Sequence, residues 1–382
     1  MKIGRWALLL TMPAFMAGCG NFWQAPSSSS SSSSTASSGV FYIADEADYE
    51  VAAYYIDAGT LTKISGSPYT LSSAPLALAI APNGSFLYVS TAQGIFLYTI
   101  SSSGELTLSN NSAAISSDVA ATMKVDSTDS WLVEAGPNAA EVLAIPIDSS
   151  TGVPTSSTEQ AARLPAATVQ QLTISPDNDN VFVAVGSAGT EQIAFTAGNS
   201  APFGTESNIA VKKSAGAAVS VAVDPSDRMV YIGETAASSG TENTGGVRVF
   251  TYSTMSEISA SPYGSGGVAP YAILPLSDGD YVYVANRTVS GSSDGNIKGF
   301  EVATSGSSYS LTALSTTVTT GIEPESLAAD SDGSYLLAVD FGGSPDLEAY
   351  TFDSTTAGQL DSAFTAATGT DPAEAVAIAA AP

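Results

Sequence analysis

From Val40 to its end, the chain alternates short apolar runs with turn-forming residues about every ten positions, a pattern typical of short β-strands. One run with a Tyr-Val-like centre recurs seven times. The third residues of the seven runs are Tyr42, Tyr88, Leu132, Phe182, Tyr231, Tyr283 and Leu337. Successive members of this series lie 44 to 54 residues apart. The chain therefore contains an internal repeat of nearly constant length.

Each repeat brings the same neighbours to the Tyr-Val run. An apolar segment and a turn rich in Pro, Asp, Asn or Gly precede it, as in "LAIAPNGS" from Leu78. These are the residues that tight hairpin turns require. A third segment follows with a large apolar residue at a fixed place, and a fourth often begins with Gly-x-Leu, as at Gly104 and Gly358. Each unit is therefore predicted to be four short antiparallel strands, the size of one β-propeller blade.

The two ends of this region complement each other. Val40 enters directly at a Tyr-Val strand, whereas "AVAIAAAP" from Ala375 is an opening strand with nothing after it. Pairing the two would close a ring without exposed strand edges. We therefore predict an all-β fold, a seven-bladed β-propeller over residues 40–382, with four antiparallel strands per blade and one blade shared between the termini. An open β-solenoid would instead need capping repeats, and two β-sandwiches would not keep one period.

The N-terminal segment has the parts of a secretory signal. Lys2 and Arg5 precede an apolar run that is too short to span a bilayer. Met-Ala-Gly-Cys, ending at Cys19, resembles the bacterial lipobox, in which the cysteine is lipidated. We expect a signal peptide over residues 1–18, a lipid on Cys19 that anchors the protein to a membrane, and a serine-rich flexible linker over 19–39. An ordinary signal peptide with an accidental cysteine is the alternative.

Composition narrows the range of partners and chemistry. The net charge is -26 from 11 basic and 37 acidic residues, which argues against nucleic acid because phosphate binding needs clustered Lys and Arg. The chain has no histidine and one cysteine. It therefore lacks the commonest general base and metal ligand, and it cannot form an internal disulfide. We expect a monomer in the bacterial cell envelope, on its periplasmic or surface face.

Charged residues cluster in the predicted loops that follow the second strands and precede the first strands, which open on one face of the ring. The candidate ligand-binding residues are Asp45, Glu134, Glu234, Asn286 and Asp340. The candidate catalytic residues are Glu325, Glu374, Arg287 and Arg163.

Three interpretations of these charges stay open. Most loop charges are solvated tips without a specific role. The second interpretation is a calcium site built from carboxylates. No EF-hand-like spacing appears, so we expect no metal or other cofactor. The third is an organic ligand at this face of the propeller, small molecule or protein, bound by the few cations. These cations are Arg163, Arg287, Lys212 and Lys213.

The repeats resemble the seven-bladed lactonase-like propellers, which include 6-phosphogluconolactonases and carboxymuconate-cyclising enzymes, and their YVTN-type surface relatives. The resemblance lies in a proline, an apolar strand, a Pro-Asp-Gly-like turn, a Tyr-Val-Ala-Asn strand and an aromatic-x-Ile-Asp strand before Gly-x-Leu. The segments that carry it include Pro75, "LAIAPNG", "LYVST" and "LYTIS", and later Pro270, "ILPLSDG" and "YVYVAN". It covers Val40 to Pro382 and implies the fold more specifically than the activity.

The lactonases that this sequence resembles carry Pro-Arg-His at the start of an inner strand. The resemblance implies that this arginine and histidine serve the lactone chemistry. The matching places here are Pro75-Leu76-Ala77, Pro270-Tyr271-Ala272, Pro324-Glu325-Ser326 and Pro372-Ala373-Glu374. No arginine or histidine stands at any of them.

The missing histidine orders the functional hypotheses. We expect a lipid-anchored propeller that acts as a binding or interaction scaffold, and a purely structural envelope role is not separable from it. The alternative is a divergent lactone hydrolase, with Glu325 or Glu374 as the base and Arg287 or Arg163 as the cation that stabilises the oxyanion. An arginine close to a carboxylate in a central pocket would favour this enzyme.

Overall fold

The structure, a computed structural model, describes residues 39–57, 59–238, 245–306, 308–331, 333–343, 345–361, 364–365 and 371–382. The predicted signal peptide, Cys19 and the linker up to residue 38 lie outside the described residues. Helical structure within the described ranges is limited to two short 3-10 turns, Asn110–Ser112 and Ser156–Thr158. No helix in these ranges is long and apolar enough to cross a bilayer.

The first half of the described chain forms sixteen strands of two to eight residues. They are β1 (Val40–Asp45), β2 (Glu50–Asp57), β3 (Thr60–Lys63), β4 (Tyr69–Thr70), β5 (Pro75–Ile80), β6 (Phe86–Thr91), β7 (Gly94–Ile100), β8 (Leu106–Leu108), β9 (Thr122–Val125), β10 (Trp131–Ala135), β11 (Glu141–Pro146), β12 (Gln160–Arg163), β13 (Gln171–Ile174), β14 (Asn180–Ala184), β15 (Thr190–Phe195) and β16 (Phe203–Ile209).

The second half continues the pattern with longer outer strands in one blade. Its strands are β17 (Ala218–Val223), β18 (Met229–Glu234), β19 (Gly246–Thr251), β20 (Ser256–Glu257), β21 (Tyr263–Gly264), β22 (Pro270–Pro275), β23 (Tyr281–Asn286), β24 (Asn296–Ser305), β25 (Ser308–Thr319), β26 (Ile322–Ala329), β27 (Tyr335–Gly342), β28 (Leu347–Thr351), β29 (Phe364–Thr365) and β30 (Ala375–Ala380).

The strands pair into seven separate antiparallel sheets, which confirms the predicted seven-bladed β-propeller. From inside outwards the blades are β5-β6-β7-β8, β9-β10-β11-β12, β13-β14-β15-β16, β17-β18-β19-β20, β22-β23-β24-β25, β26-β27-β28-β29 and β30-β1-β2-β3. The short strands β4 and β21 add to β2 and β19. The seven innermost strands contact one another in sequence and complete a ring.

The shared blade closes the ring as the sequence predicted. β30 pairs with β1 in antiparallel register, from Phe41 opposite Ala380 to Asp45 opposite Ala375. Neither strand therefore leaves an unpaired edge at the seam. Closure depends on the last six-residue strand of the chain reaching back to the first.

The apolar core is divided among the blades. Each of the seven hydrophobic clusters in the described part of the chain combines residues from two adjacent blades. The alternation of a strand sends successive side chains to opposite faces, so each sheet packs against both of its neighbours. This arrangement explains why the strands read as nearly continuous apolar runs.

Tyrosine hydroxyls connect three pairs of blades in the same way. Tyr42 Oη donates to the carbonyl of Gly104 at 2.8 Å, and Tyr88 Oη donates to the carbonyl of Gly152 at 2.7 Å. Tyr283 Oη donates to Gly358 in the same manner. Each glycine lies in the following blade, between its third and fourth strands. The repeated Tyr and the repeated Gly of the sequence therefore bind each other across the blade boundary.

Candidate functional site

All seven innermost strands, or the residues at their starts, line a cavity of ≈ 200 Å³ at the centre of the ring. The wall combines aliphatic side chains with a few polar ones. The polar and charged residues among them are Thr122, Lys124, Gln170, Gln171, Tyr271, Glu325 and Ser326. A concave site with a few polar groups on an apolar wall is the usual form of a small-molecule site.

β-Bulges aim several side chains into this cavity. Five innermost strands carry one extra residue where they begin, opposite the end of the second strand. A bulge leaves the extra residue outside the ladder and redirects its side chain. The five bulged residues all line the cavity: Leu76, Val219, Tyr271, Glu325 and Val376.

Glu325 contacts Arg287 at the wall of the cavity. Nη2 of Arg287 lies 2.6 Å from Oε1 of Glu325 and 3.0 Å from Oε2 of Glu323, and its guanidinium stacks over the ring of Tyr271 at 4.8 Å. Nε of Arg287 donates to Glu323 at 3.1 Å. Oε1 of Glu325 accepts no hydrogen bond from a described residue. The Arg287–Glu325 contact is therefore an ion pair without hydrogen-bond geometry, and Oε1 itself is shielded from solvent.

Burial controls the acidity of Glu325. The side chain is 9% exposed, and desolvation raises its pKa to about 7. The positive charge of Arg287 opposes this rise, while the negative charges of Glu323 and Glu46 add to it. A carboxyl group with a pKa near neutrality can both take up and release a proton at physiological pH.

The other two candidate catalytic residues lie away from the cavity. Arg163 was expected in a loop before a first strand, but it is the last residue of β12, the outermost strand of its blade. Its backbone N–H donates to Glu206 at 3.0 Å. Glu374 is exposed and precedes β30. In β26, Pro324 lies opposite Asp340 and Glu325 is the bulged residue that follows. In β30 the residue opposite Asp45 is Ala375, not Pro372, so the residue equivalent to Glu325 is Val376 and not Glu374.

The five candidate ligand-binding residues are buried, which the sequence interpretation as solvated loops did not foresee. Asp45, Glu234 and Asn286 end β1, β18 and β23, while Glu134 and Asp340 lie within β10 and β27. All are at most 2% exposed. They belong to the second strands themselves because the strands extend further than the apolar pattern indicated.

Three of these residues bind neighbouring segments of the fold. Asp45 accepts backbone N–H groups from Asp48 at 2.9 Å and Ala373 at 3.0 Å. Glu234 accepts from Arg248 and from the backbone of Lys212, both at 2.8 Å. The side-chain amide of Asn286 donates to the carbonyl of Ser265 at 2.7 Å.

These contacts show what the three buried polar groups do within the protein. They satisfy loop backbone and charged groups that would otherwise be unpaired at that face. The other predicted cations are also engaged: Lys212 pairs with Glu257 at 2.9 Å, and Lys213 donates to the carbonyl of Ser238.

Glu134 and Asp340 are less well satisfied. Oε2 of Glu134 and both carboxylate oxygens of Asp340 accept no ordinary hydrogen bond from a described residue. Desolvation raises each pKa to about 8, with smaller contributions from nearby carboxylates. The Thr320 hydroxyl and the Gly321 amide lie near enough to Asp340 to oppose part of its rise. Both groups are therefore held mainly as neutral acids near pH 7.

One group of acidic residues in the described part of the chain converges closely. Asp45, Asp48 and Glu50 place carboxylate oxygens within 4.8 Å of one another. Calcium takes six or more oxygen ligands, and Asp45 already accepts two backbone N–H groups. The expectation that the protein holds no metal stays a prediction.

Two charged residues at the site were not among the sequence-predicted candidates. Glu323 shares Arg287 with Glu325, and Lys124 reaches the cavity from β9. Glu323 was among the loop charges expected at this face but was given no role there. Lys124 belongs to no recognisable motif. A strand with one lysine is indistinguishable in sequence from a half-exposed strand until its register is known.

The sequence matches the family described as "Lactonase, 7-bladed beta-propeller" over residues 32–171 and 239–376. No curated protein matches it significantly.

Solved structures share the fold over nearly the whole chain. A proposed 6-phosphogluconolactonase from Bacteroides uniformis superposes with a TM-score of 0.68 at 18% identity, covering 90% of this chain and 99% of its own. A second from Bacteroides fragilis gives 0.68 at 15% identity over 91% and 99%. The periplasmic gluconolactonase PpgL of Pseudomonas aeruginosa gives 0.67 at 15% identity over 90% and 99%.

Proposed function

Because the chain belongs to the seven-bladed β-propeller lactonase family, we propose that it hydrolyses a lactone in the cavity enclosed by its seven inner strands. The observation that carries this proposal is the 2.6 Å contact between Arg287 and Glu325 beside the cavity. Lactone hydrolysis needs a base for water and a cation for the developing oxyanion. This pair supplies both without the histidine that the resembled enzymes use.

In this mechanism Glu325 is the general base. Its second carboxylate oxygen, Oε2, takes a proton from a water molecule as the water oxygen attacks the lactone carbonyl carbon. The carbonyl π electrons move to oxygen, and the resulting oxyanion lies against the guanidinium of Arg287. When the tetrahedral intermediate collapses, the ring C–O bond breaks and the leaving alkoxide takes the proton back from Glu325. One lactone and one water give one hydroxy acid.

The neighbours of the pair have supporting roles. Stacking on Tyr271 fixes the plane of the guanidinium, and Glu323 holds the same group from the solvent side. Glu323 is 44% exposed, so its ion pair with Arg287 is screened by water and can exchange for a bound oxyanion at low cost.

The test is a hydrolysis assay of the full chain in detergent with gluconolactone and several γ- and δ-lactones. Glu325→Gln should lower kcat/KM by about 100-fold or more, the usual loss when a general base is removed. Glu323→Gln is the matched control, since it removes a carboxylate from the same arginine outside the cavity wall, and it should retain most of the activity. Turnover at the uncatalysed rate for every lactone would refute the hydrolase.

A binding role without catalysis is the second candidate. It is favoured by the engagement of Arg287 with two carboxylates, which leaves no free cation at the carbonyl position until a ligand displaces one of them. The assay separates the two candidates, because a binding protein would retain a lactone or its hydroxy acid in equilibrium dialysis without converting it.

We also propose that the propeller is held at the cell envelope by a lipid on Cys19. The support is the lipobox-like sequence before the cysteine, the apolar run that precedes it and the serine-rich segment that follows. Metabolic labelling with an alkyne-tagged palmitate should mark the wild type and not Cys19→Ala, and only the variant should leave the membrane fraction. Equal labelling of both would exclude this anchor.

A further inference from the structure

One inner strand departs from the other six at a single register position. Lys124 of β9 lies opposite Val133, the residue directly after the third position of the Tyr-Val-like run. The residues at the same register in the other six inner strands are Leu78, Leu172, Val221, Ile273, Leu327 and Ile378. All six are aliphatic and at most 9% exposed. A lysine thus completes a ring that is otherwise hydrocarbon.

The side chain of Lys124 is accessible from the cavity and has no counter-ion among the described residues. It lines the same cavity as Glu325 and Tyr271, and its side chain is exposed there. Its ammonium makes no hydrogen bond or ion pair with any residue that the structure describes. The protein that encloses the cavity lowers the pKa of Lys124 by desolvation.

An ammonium in this position favours an anion. Its attraction to a negative charge is stronger in a narrow protein-lined space than in open water, because less solvent screens it. The acidic groups of the chain do not supply that charge here: within the described residues, the carboxylate at the cavity wall, Glu325, lies against Arg287. A ligand that enters the cavity can supply it.

We propose that the cavity binds a small aliphatic monocarboxylate, with the carboxylate on Lys124 and the hydrocarbon portion against the aliphatic side chains that line the cavity, which include Leu78, Leu172 and Ile378 of these equivalent positions. The inference deepens the proposed function, since it names the ligand class of the same cavity, and it rests on that cavity being the ligand site. Lys124 is then a specificity-determining residue on the wall formed by β9, while Glu325 acts from β26.

The single cation selects the charge of the ligand. A phosphate group carries close to two negative charges at neutral pH and is usually bound by several cationic or N–H donors. Lys124 is the one cation among the described residues that line the cavity. Arg287, beside the cavity, is already paired with Glu323 and Glu325, so the second charge of a phosphate would meet no unpaired cation, and a carboxylate should bind more tightly.

Isothermal titration calorimetry with hexanoate tests this inference on the full chain in detergent. Lys124→Met should weaken hexanoate binding at least tenfold, whereas Lys124→Arg should keep most of the affinity because it keeps the charge. Lys63→Met is the matched control, since Lys63 lies on the outermost strand β3. Hexanamide tests the need for the carboxylate, and inorganic phosphate and glucose 6-phosphate test the preference for one charge.

The fold should tolerate Lys124→Met, because the six equivalent positions are aliphatic; an unchanged or higher Tm would verify this. The inference is overturned if hexanoate does not bind, if it binds wild type and Lys124→Met equally, or if phosphate binds more tightly. Because this experiment measures binding, it is independent of the activity assay. Hexanoate binding without lactone turnover would refute the hydrolase alone. Lactone turnover without hexanoate binding would refute this inference alone.

Discussion

At the scale of single residues, the Arg287–Glu325 contact derives its chemistry from burial. A solvated glutamate beside an arginine would be a weak base, because the positive charge stabilises its ionised form. Here desolvation outweighs the arginine and raises the pKa of Glu325 to about 7. Glu325 is therefore a stronger base than a surface glutamate and still deprotonates within the physiological range.

The same balance predicts a pH dependence with a definite sign. The base must be ionised, so kcat/KM should rise as pH increases through about 7 and level off above it. Arg287→Met removes the charge that lowers the pKa of Glu325 and should move the midpoint to higher pH. Glu323→Gln removes a charge that raises it and should move the midpoint to lower pH.

The two shifts can be measured as rate profiles or, if Arg287→Met is too slow, by carbon NMR of the Glu325 carboxyl group. Midpoints that coincide in all three proteins would contradict the assignment of Glu325 as the titrating base. Shifts in the same direction for both variants would contradict the electrostatic account of its pKa.

At the scale of the structural element, the Tyr-to-Gly hydrogen bond explains why two distant motifs recur together. Gly152 adopts a positive φ of 71° and lies so close to the preceding blade that an added Cβ would be 2.7 Å from the Phe86 ring. Gly104 and Gly358 have the same conformation and a similar approach to the preceding blade. The glycine allows two blades to approach, and the tyrosine hydroxyl satisfies its carbonyl.

A matched pair of tyrosines tests the value of this link. Tyr88→Phe removes the donor to Gly152 and leaves a buried carbonyl unsatisfied, which should lower the free energy of unfolding by about 1–3 kcal/mol. Tyr231 occupies the equivalent place, but its buried hydroxyl has no hydrogen-bond partner among the described residues. Tyr231→Phe should therefore be neutral or stabilising.

Urea denaturation of the two variants is the measurement. Equal destabilisation by both would show that the blades do not depend on the hydroxyl bond. Gly152→Ala should destabilise more than Tyr88→Phe, because it adds a steric clash and backbone strain to the same boundary.

At the scale of the whole molecule, buried carboxyl groups make stability depend on pH. The pKa values of Glu134 and Asp340 are raised to about 8 and that of Glu325 to about 7. Between the unfolded pKa values near 4 and these folded values, the folded protein holds protons that the unfolded chain releases. Stability should therefore fall as pH rises across this window.

Thermal denaturation should give a Tm several degrees higher at pH 5.5 than at pH 8. Combining Glu134→Gln with Asp340→Asn should reduce this difference, because neither amide ionises. Glu105→Gln is the control for net charge alone, since Glu105 is exposed. A Tm that rises with pH, or an equal effect of the control, would contradict the role of the buried acids.

The sequence by itself determined the architecture of this protein. Period, turn residues and the complementary ends at Val40 and Ala375 are local patterns, and each blade is built from strands adjacent in the chain. Seven such units can bury their apolar faces only against one another, so the ring follows from the repeat. The resemblance to the lactonase family rests on the same patterns.

Only the tertiary structure decided which polar residues share a site. Loop charges such as Asp45 and Glu234 looked available in sequence, yet they bind the protein's own backbone and charges. Arg287 and Glu325 come from different blades, and a β-bulge aims Glu325 inward. Lys124 is distinctive only when seven inner strands are aligned by register. Such convergence depends on contacts between distant segments, which no local pattern records.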